Sequence, residues 1–202
     1  MDIYVLIVIL LMLMFILVFL EMDLEIIIIL RLINKVMIRK VTIKDAQAIA
    51  DIYNEYVLNS VASFETEPVT VQEMRRRIEE ISSQFPYYVY EDMGEVEGYC
   101  YAHSWKERVA YKHTWETTIY VAGDSRGRGI GTELMKYLIK DCRQAGAHAL
   151  VACITGDNKK SIILHQRLGF QLVSHFPEVG MKFGRWLDVV DFQLILNEKA
   201  SK

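Results

Sequence analysis

From residue 37 onward, the chain alternates segments of strand-like and helix-like hydrophobic periodicity. Apolar residues at alternate positions or in short continuous runs predict strands, and apolar residues three or four positions apart predict helices. The pattern predicts the element order β-α-α-β-β-β-α-β-α-β-β. Because some strands follow one another without a helix between them, this order favours an α/β class with a mixed, partly antiparallel sheet over a doubly wound parallel sheet.

Turn and capping signals mark the boundaries of these elements. Thr42 with Asp45, and Thr70 with Glu73, have capping-box spacing and predict two helix starts, and Gly146 ends the third helix. The second helix ends near residues 82–83. The predicted strands cover residues 36–43, 87–91, 96–105, 114–121, 148–154, 170–179 and 186–196, and the last two helices cover residues 130–142 and 158–168.

The first 36 residues differ from the rest of the chain. Residues 3–20 are eighteen consecutive apolar residues, long enough for a transmembrane helix, but no basic segment or cleavage site marks a signal peptide. Three interpretations are open: a membrane anchor with a cytosolic domain, an upstream extension ahead of a true start at Met37, or an added helix on the domain. We therefore expect a hydrophobic N-terminal extension over residues 1–36 and one domain over residues 37–202.

Composition and charge narrow the classes of function. Hydrophobic residues make up 52% of the 202 residues, which is enough for a sizeable core. The 23 basic and 26 acidic residues give no cationic excess, so a nucleic-acid partner is not expected. The three cysteines are widely spaced and form no disulfide or metal-ligand pattern, which predicts no metal site and is typical of a reducing, cytoplasmic compartment.

A glycine-rich segment between a predicted strand and a predicted helix is the most informative motif. Gly127, Gly129 and Gly131 let a ligand approach the backbone, and the helix N-terminus favours an anion such as a pyrophosphate. The spacing is not G-x-G-x-x-G, because Thr132 occupies the last position, and the chain contains no Walker string G-x-x-x-x-G-K-[ST]. The remaining pattern is Arg126-x-x-Gly129-x-Gly131, and the alternative is a simple connecting turn.

This pattern resembles the coenzyme A loop of the GNAT acetyltransferase superfamily, and the similarity extends from residue 37 to about residue 196. More narrowly, the chain is similar to the phosphinothricin acetyltransferase branch, with which it shares six strings in the same order. They are residues 38–39, 63–68, 105–111, 115–121, the loop at 126–131, and Asn158-x-x-Ser161-x-x-x-His165-x-x-x-Gly169-Phe170. The resemblance implies the GNAT fold, a single domain whose mixed, mostly antiparallel twisted sheet is splayed at the acetyl-CoA site and flanked by about four helices.

The resemblance also implies acetyl-CoA as co-substrate, without a metal. In the family, the loop amides bind the pyrophosphate, and the pantetheine arm lies between two splayed strands, here those ending at Val121 and Ile154. Asn158 and Ser161 match positions that contact this arm, although Asn158 also suits a helix N-cap. The implied cofactor-binding residues are Ile119, Tyr120, Val121, Arg126, Gly127, Arg128, Gly129, Ile130, Gly131, Thr132, Asn158 and Ser161.

Glu116 is the first catalytic candidate. On a strand it shares a face with Thr118 and Tyr120, and a carboxylate within an aromatic, β-branched strand is unfavourable to bury unless it has a partner or a function. An amine must lose a proton to attack a thioester, and the phosphinothricin branch assigns that general-base role to this position. The alternative is a surface Glu on an edge strand.

His165 is the second catalytic candidate. Many superfamily members have Tyr at this position, four residues before Gly-Phe, where it protonates the leaving thiolate, whereas the phosphinothricin branch has a His near the substrate. His165 shares a helical face with Ser161. The residue types leave open whether His165 acts as acid, base or substrate ligand, or is a hydrogen-bonded helix residue.

Residues 105–111 are the candidate recognition segment for the substrate. Lys106, Arg108 and Tyr111 form a cationic, aromatic loop suited to a carboxylate or phosphinate, and a solvated charged loop is the alternative. Phe64 is a candidate apolar wall, and Thr118 lies on the face of Glu116.

The resemblance implies a substrate class and an assembly. Substrates of the branch are amino acids with a polar tetrahedral side-chain group, such as phosphinothricin, methionine sulfoximine or methionine sulfone, and some members accept other small amines. Its members are typically homodimers, and residues 186–196 could contribute an interface. The alternative functions are a protein N-terminal or lysine acetyltransferase, and a non-catalytic coenzyme A-binding module.

Overall fold

In the part of the chain that the structure describes, seven strands form one mixed sheet in the order β1-β2-β3-β4-β5-β7-β6. The structure is a computed structural model and describes residues 36–196. The strands are β1 Met37–Lys40, β2 Tyr87–Asp92, β3 Glu95–Ser104, β4 Thr114–Val121, β5 Ala149–Thr155, β6 Gln171–Lys182 and β7 Arg185–Ile195. β4 and β5 are parallel, whereas the pairs β1–β2, β3–β4, β5–β7 and β6–β7 are antiparallel. The expected mixed, mostly antiparallel sheet is confirmed.

Four α-helices flank the sheet within the described residues. They are α1 Ala46–Asn59, α2 Val71–Ser82, α3 Ile130–Gln144 and α4 Lys159–Arg167. The Thr70 side chain accepts a hydrogen bond from the Glu73 N–H at 3.1 Å, and the Asn158 side chain accepts one from the Ser161 N–H at 3.2 Å. Both side chains satisfy amides that the first helical turn leaves without an acceptor, so these two predicted helix starts are confirmed.

The first strand is shorter than the sequence pattern predicts. β1 ends at Lys40, and Thr42 begins a 3₁₀ turn, Ile43–Asp45, which precedes α1. The cause is the Asp45 carboxylate, which accepts hydrogen bonds from the Thr42 N–H at 2.7 Å and from the Arg39 guanidinium at 2.7 and 2.9 Å. These bonds turn the chain away from β2 directly after the strand.

Two apolar clusters cover the two faces of the sheet. Because successive side chains of a strand point to opposite faces, β2, β3 and β4 supply residues to both clusters. The first cluster packs β3, β4, β5 and β7 against α3 and α4, and its members include Cys100, Leu134, Leu138, Leu150 and Phe192. The second packs β2 and β3 against α1 and α2, and its members include Ile49, Ile78, Val89 and Tyr99.

The parallel pair β4–β5 separates partway along its length. The two strands pair from Thr114 with Ala149 to Glu116 with Val151, and then continue to Val121 and Thr155. Along these remaining residues, β4 stays paired with β3 and β5 stays paired with β7. The sheet is therefore splayed between the two strands where the sequence resemblance implied it.

The predicted N-terminal extension lies outside the described residues except for its last residue, so its three interpretations stay predictions. Residues 37–91 and 95–196 belong to one compact unit of the described chain. Within residues 36–196, no helix has the length and apolar character needed to cross a membrane. The domain boundary at residue 37 also stays a prediction.

Candidate active site

The glycine-rich loop leads directly into the first turn of α3. Gly127 and Gly129 have φ values of 84° and 88°, in the left-handed region that side chains other than glycine rarely adopt. A Cβ atom built on either residue meets none of the described atoms within 4 Å, so space is open beside the backbone. Since the first N–H groups of a helix have no acceptor within the helix and favour anions, this loop fits a pyrophosphate.

Helix α1 anchors the loop through its last turns. The Arg126 guanidinium forms an ion pair with Glu55 at 2.7 Å and lies over the Tyr56 ring, 4.5 Å from its centroid. Glu55 also accepts a hydrogen bond from the Gly123 N–H at 3.2 Å, and the Tyr56 hydroxyl donates to the Val121 carbonyl at 2.7 Å. Glu55 and Tyr56 carry no motif of their own, so the sequence pattern did not predict this anchoring role.

The other side of the loop has its own contacts. The Arg128 guanidinium donates to the Ser125 hydroxyl at 3.3 Å, and that hydroxyl donates in turn to the Glu97 carboxylate. Ile130 is buried at the start of α3, whereas Thr132 donates its N–H to the Gly129 carbonyl at 2.9 Å. The predicted phosphate-binding residues are therefore brought together at one helix end.

The predicted pantetheine residues lie along the opening between β4 and β5. Ile119 and Val121 face α3, where their side chains lie 3.6 and 3.9 Å from the Cβ position of Gly131. Tyr120 faces the opposite way and packs edge-on against Tyr53 and Tyr56. Asn158 and Ser161 begin α4 beyond the end of β5, where Asn158 is an N-cap; that role does not exclude ligand contact through its amide.

Glu116 lies in the middle of the sheet, between β3 and β5, so the edge-strand interpretation is wrong. Its side chain is 27% exposed, and its Oε1 atom lies 3.9 Å from Nε2 of His103, the residue opposite it on β3. Burial raises the pKa of Glu116, His103 opposes that shift, and the negative charge of Asp191 adds to it. A partly exposed carboxylate with a raised pKa suits a general base.

His165 is buried, with 2% of its surface exposed, and packs edge-on against Phe170 with ring centroids 5.0 Å apart. Its Nδ1 atom lies 2.8 Å from the Ser161 carbonyl oxygen, which can only accept, so Nδ1 carries the ring proton. Nε2 then has a lone pair, and it is buried without a partner among the described residues. Burial lowers the pKa of His165, which disfavours the imidazolium form that a proton donor at Nε2 needs.

The candidate substrate residues fall into two groups. In the first, the Lys106 ammonium lies 4.0 Å from the Trp105 ring centroid and 5.5 Å from that of Tyr111, and Arg108 begins the 3₁₀ turn Val109–Tyr111. Cation–π contacts, worth about 0.5–1 kcal/mol at an exposed site, therefore favour this position of the Lys106 ammonium.

In the second group, Thr118 pairs with Tyr101 of β3 and lies on the face of Glu116. Phe64 lies against the backbone of β6, because a Cβ atom on Gly180 would clash with its ring. Phe64 is still 40% exposed, as an apolar wall requires.

Three polar side chains near Glu116 carry no recognised motif. His103, Cys153 and Asp191 lie on β3, β5 and β7, and their electrostatic interactions reach Glu116. Cys153 and Asp191 interrupt apolar strands, which is the signal by which the sequence could have revealed them. Within residues 36–196, no cluster of His, Cys, Asp or Glu has the arrangement of a metal site.

A helix start that fits a pyrophosphate lies beside a splayed parallel strand pair, with a carboxylate where the splay begins, and this arrangement suits an acyl-CoA-dependent transferase. Residues 38–190 match the family model for the acetyltransferase (GNAT) domain. The chain belongs to the GNAT acetyltransferase family and is an acetyl-CoA-dependent N-acetyltransferase.

Similar proteins are named as N-acyltransferases or acetyltransferases of amino acids and related compounds. The L-amino acid N-acyltransferase MnaT of Escherichia coli is 38% identical over 157 residues, 77% of this chain and 91% of that protein. An L-methionine sulfoximine/L-methionine sulfone acetyltransferase of Pseudomonas aeruginosa is 38% identical over 166 residues, 81% of this chain and 96% of that protein. A phosphinothricin acetyltransferase from Sinorhizobium meliloti, solved with acetyl-CoA, superposes with a TM-score of 0.79 at 38% identity, over 82% of this chain and 91% of that chain. The resemblance to the phosphinothricin branch is confirmed.

Proposed function

We propose that this enzyme acetylates the α-amino group of a small amino-acid-like substrate of the phosphinothricin, methionine sulfoximine or methionine sulfone type, with Glu116 as general base. One observation carries the proposal. Glu116 and Val151 are the last residue pair of the β4–β5 ladder, so the carboxylate stands where the opening between the strands begins. The named activities of the relatives support the substrate class.

The role of Glu116 is to take one proton from the substrate. An α-amino group has a pKa near about 8, so at neutral pH the substrate arrives mainly as the ammonium ion. After Glu116 accepts a proton, the amine nitrogen forms a C–N bond with the thioester carbon and the C–S bond breaks. A second nitrogen proton leaves with the coenzyme A thiol, and the proton on Glu116 passes to solvent.

In the proposed complex, Lys106 and Arg108 bind the anionic group of the substrate. Lys106 is held against Trp105 and Tyr111, so its charge is positioned before a ligand binds. Arg108, one short turn away, supplies a planar guanidinium suited to a carboxylate or phosphinate. Phe64 and Thr118 complete the site as an apolar wall and a hydroxyl.

We also propose that the enzyme is a homodimer, in which the β6–β7 hairpin forms the interface. β6 is an edge strand, and large apolar side chains of the hairpin are exposed. They are Leu172, Val173, Phe176, Val179, Met181, Phe183 and Trp186. An exposed edge strand with so many apolar side chains favours a protein partner, and a second copy presents the same surface in return.

We also propose that the protein is located in the cytoplasm. Cys100, Cys142 and Cys153 all carry free thiols, as in a reducing compartment. If residues 3–20 form a membrane anchor, the basic residues that follow them favour the same side of the membrane for the domain.

Turnover with a panel of amines tests the substrate class. The panel contains phosphinothricin, methionine sulfoximine and methionine sulfone, together with a peptide with a free N-terminus and a lysine peptide. We expect release of coenzyme A with the three amino acids and little with the peptides. Preferred turnover of a peptide would establish the protein acetyltransferase alternative, and coenzyme A binding without turnover of any amine would establish the non-catalytic one.

A further inference from the structure

A row of polar side chains crosses the sheet on the face of Glu116. His103 pairs with Glu116, Glu116 pairs with Val151, and Cys153 lies two residues further on the same face of β5. Cys153 in turn pairs with Asp191 of β7, which pairs with Ser174 of β6. The polar row thus continues from the candidate base to the far edge of the sheet.

Asp191 is held in a fixed position within this row. Its Oδ2 atom accepts a hydrogen bond from the Ser174 hydroxyl at 2.8 Å, and Asp191 is paired with Cys153 in the β5–β7 ladder. Asp191 lies two strands across and two residues further along the sheet than Glu116, with Cys153 between them, so the Cα atoms of Glu116 and Asp191 are roughly 12 Å or more apart at 4.7–4.9 Å per strand and about 3.3 Å per residue. A group that bridges the two carboxylates therefore lies above the exposed Cys153, at the side of the opening between β4 and β5.

We propose that Asp191 binds the ammonium group of the substrate and positions it against Glu116, an inference that rests on the proposed function. The ammonium donates one hydrogen bond to each carboxylate. Glu116 takes a proton, while Asp191 keeps hold of a second N–H. Asp191 is a positioning residue for the amine, and its charge selects substrates that carry an ammonium group.

The surrounding charges agree with this division of roles. Four groups face or interact with Glu116: His103 and Tyr101 from β3, Cys153 from β5 and Asp191 from β7. Of these, Asp191 raises the pKa of Glu116, which strengthens it as a base. Burial, with the charges of the two carboxylates added to it, raises the pKa of the Cys153 thiol to about 12, so at neutral pH it contributes no competing negative charge.

The test compares Asp191→Asn with wild type in steady-state kinetics with methionine sulfone and in inhibition by 4-(methylsulfonyl)butanoate, the same molecule without its amino group. A charge-assisted hydrogen bond of about 1.5–3 kcal/mol corresponds to roughly 10- to 100-fold in the KM for methionine sulfone. We expect that increase, with kcat changed far less and the inhibition constant of the deaminated compound unchanged. The acidic limb of the kcat/KM profile should move to lower pH, because the charge that raises the pKa of Glu116 is gone.

The control is Asp188→Asn. Asp188 lies on the same strand but on the opposite face, where it pairs with His175 at 2.8 Å. The same loss of charge there should leave the KM for methionine sulfone, the inhibition constant and the pH profile as in wild type. Asp191→Glu should restore part of the selectivity for the ammonium group.

Cys153 offers a second readout that needs no turnover. Cys100 and Cys142 are buried, so alkylation by iodoacetamide reports Cys153. Methionine sulfone should protect this thiol in wild type but not in Asp191→Asn, and the variant without ligand should react faster because its thiol pKa falls.

The two proposals fail in different ways. If wild type acetylates methionine sulfone while Asp191→Asn keeps its KM and its pH profile, the role of Asp191 is wrong and the proposed function stands. An equal increase in the KM values for methionine sulfone and acetyl-CoA would reveal general damage and likewise overturn the role. If wild type acetylates no small amine, the proposed function fails and this inference fails with it.

Discussion

Glu116 and Val151 form the last pair of residues that joins β4 to β5, and beyond them the two strands separate. In the proposed mechanism, this is the point where the thioester of acetyl-CoA meets the incoming amine. The glycine loop at the far end of β4 fits the pyrophosphate, so one strand connects the cofactor end of the site to the chemical end.

The phosphate-binding role of the loop predicts a selective loss of acetyl-CoA affinity in Gly129→Val. A side chain there enters the open space beside the loop and strains a backbone with φ of 88°. We expect the dissociation constant of acetyl-CoA, measured by calorimetry, to rise at least about tenfold, since 1.4 kcal/mol corresponds to a factor of ten.

Gly146→Val is the matched control for that loss. Gly146 has φ of 93° and equally open surroundings, but it follows the other end of α3. We expect the two variants to lose similar thermal stability, and only Gly129→Val to lose acetyl-CoA affinity. If the two folded variants had equal dissociation constants for acetyl-CoA, the loop would not be part of the cofactor site.

The domain boundary predicts that a chain starting at Met37 folds and stays fully active. β1 begins at this residue, and within residues 36–196 the members of both apolar clusters follow it. Thermal unfolding and turnover of the full-length and shortened chains provide the measurement. A shortened chain that fails to fold would assign residues 1–36 to the core.

The burial of His165 predicts an acid-side loss of stability. Its pKa in the folded protein is lowered, so below its ordinary value of 6.5 the unfolded chain binds a proton that the folded chain resists. The contribution of His165 to the free energy of unfolding is therefore complete above pH 6.5 and is lost as pH falls toward the lowered pKa. His165→Asn should flatten this part of the stability profile in denaturant titrations, whereas His148→Asn, at an exposed position, should not. Equal slopes in wild type and His165→Asn would contradict the buried, neutral imidazole.

The proposed dimer predicts that Trp186→Glu shifts the protein to a monomer. Trp186 and Met181 pair across the hairpin, and they are 58% and 54% exposed. A buried carboxylate without a partner strongly opposes association. Analytical ultracentrifugation provides the measurement, and Ile43→Glu, an exposed apolar position in the turn before α1, is the control. A sedimentation coefficient unchanged from a dimeric wild type would place the interface elsewhere.

Local chemistry in the sequence predicted most elements of this fold. β4 spans the predicted residues 114–121, and Thr70 and Asn158 cap helices where short polar side chains suit that role. The predicted end of the first strand was wrong because the Arg39–Asp45 contact overrides strand propensity.

The residues around Glu116 in the proposed amine site could not be predicted from local patterns. The sheet order places β7 beside β5 and before β6, so Asp191 lies near Glu116 although the two residues are far apart in the sequence. The Arg126–Glu55 pair likewise joins a motif residue to a helix without a motif. Such contacts follow from topology, which periodicity does not reveal.

The most direct test of the account is kcat against pH for wild type and Glu116→Gln, with both substrates saturating. The substitution keeps the shape of the side chain but removes the base, and loss of a general base typically lowers the rate roughly 10²- to 10⁴-fold. We predict a defect of this size near neutral pH that shrinks as pH rises past the pKa of the amine, with acetyl-CoA affinity unchanged. Equal kcat values for the two proteins across the pH range would contradict the general-base role of Glu116.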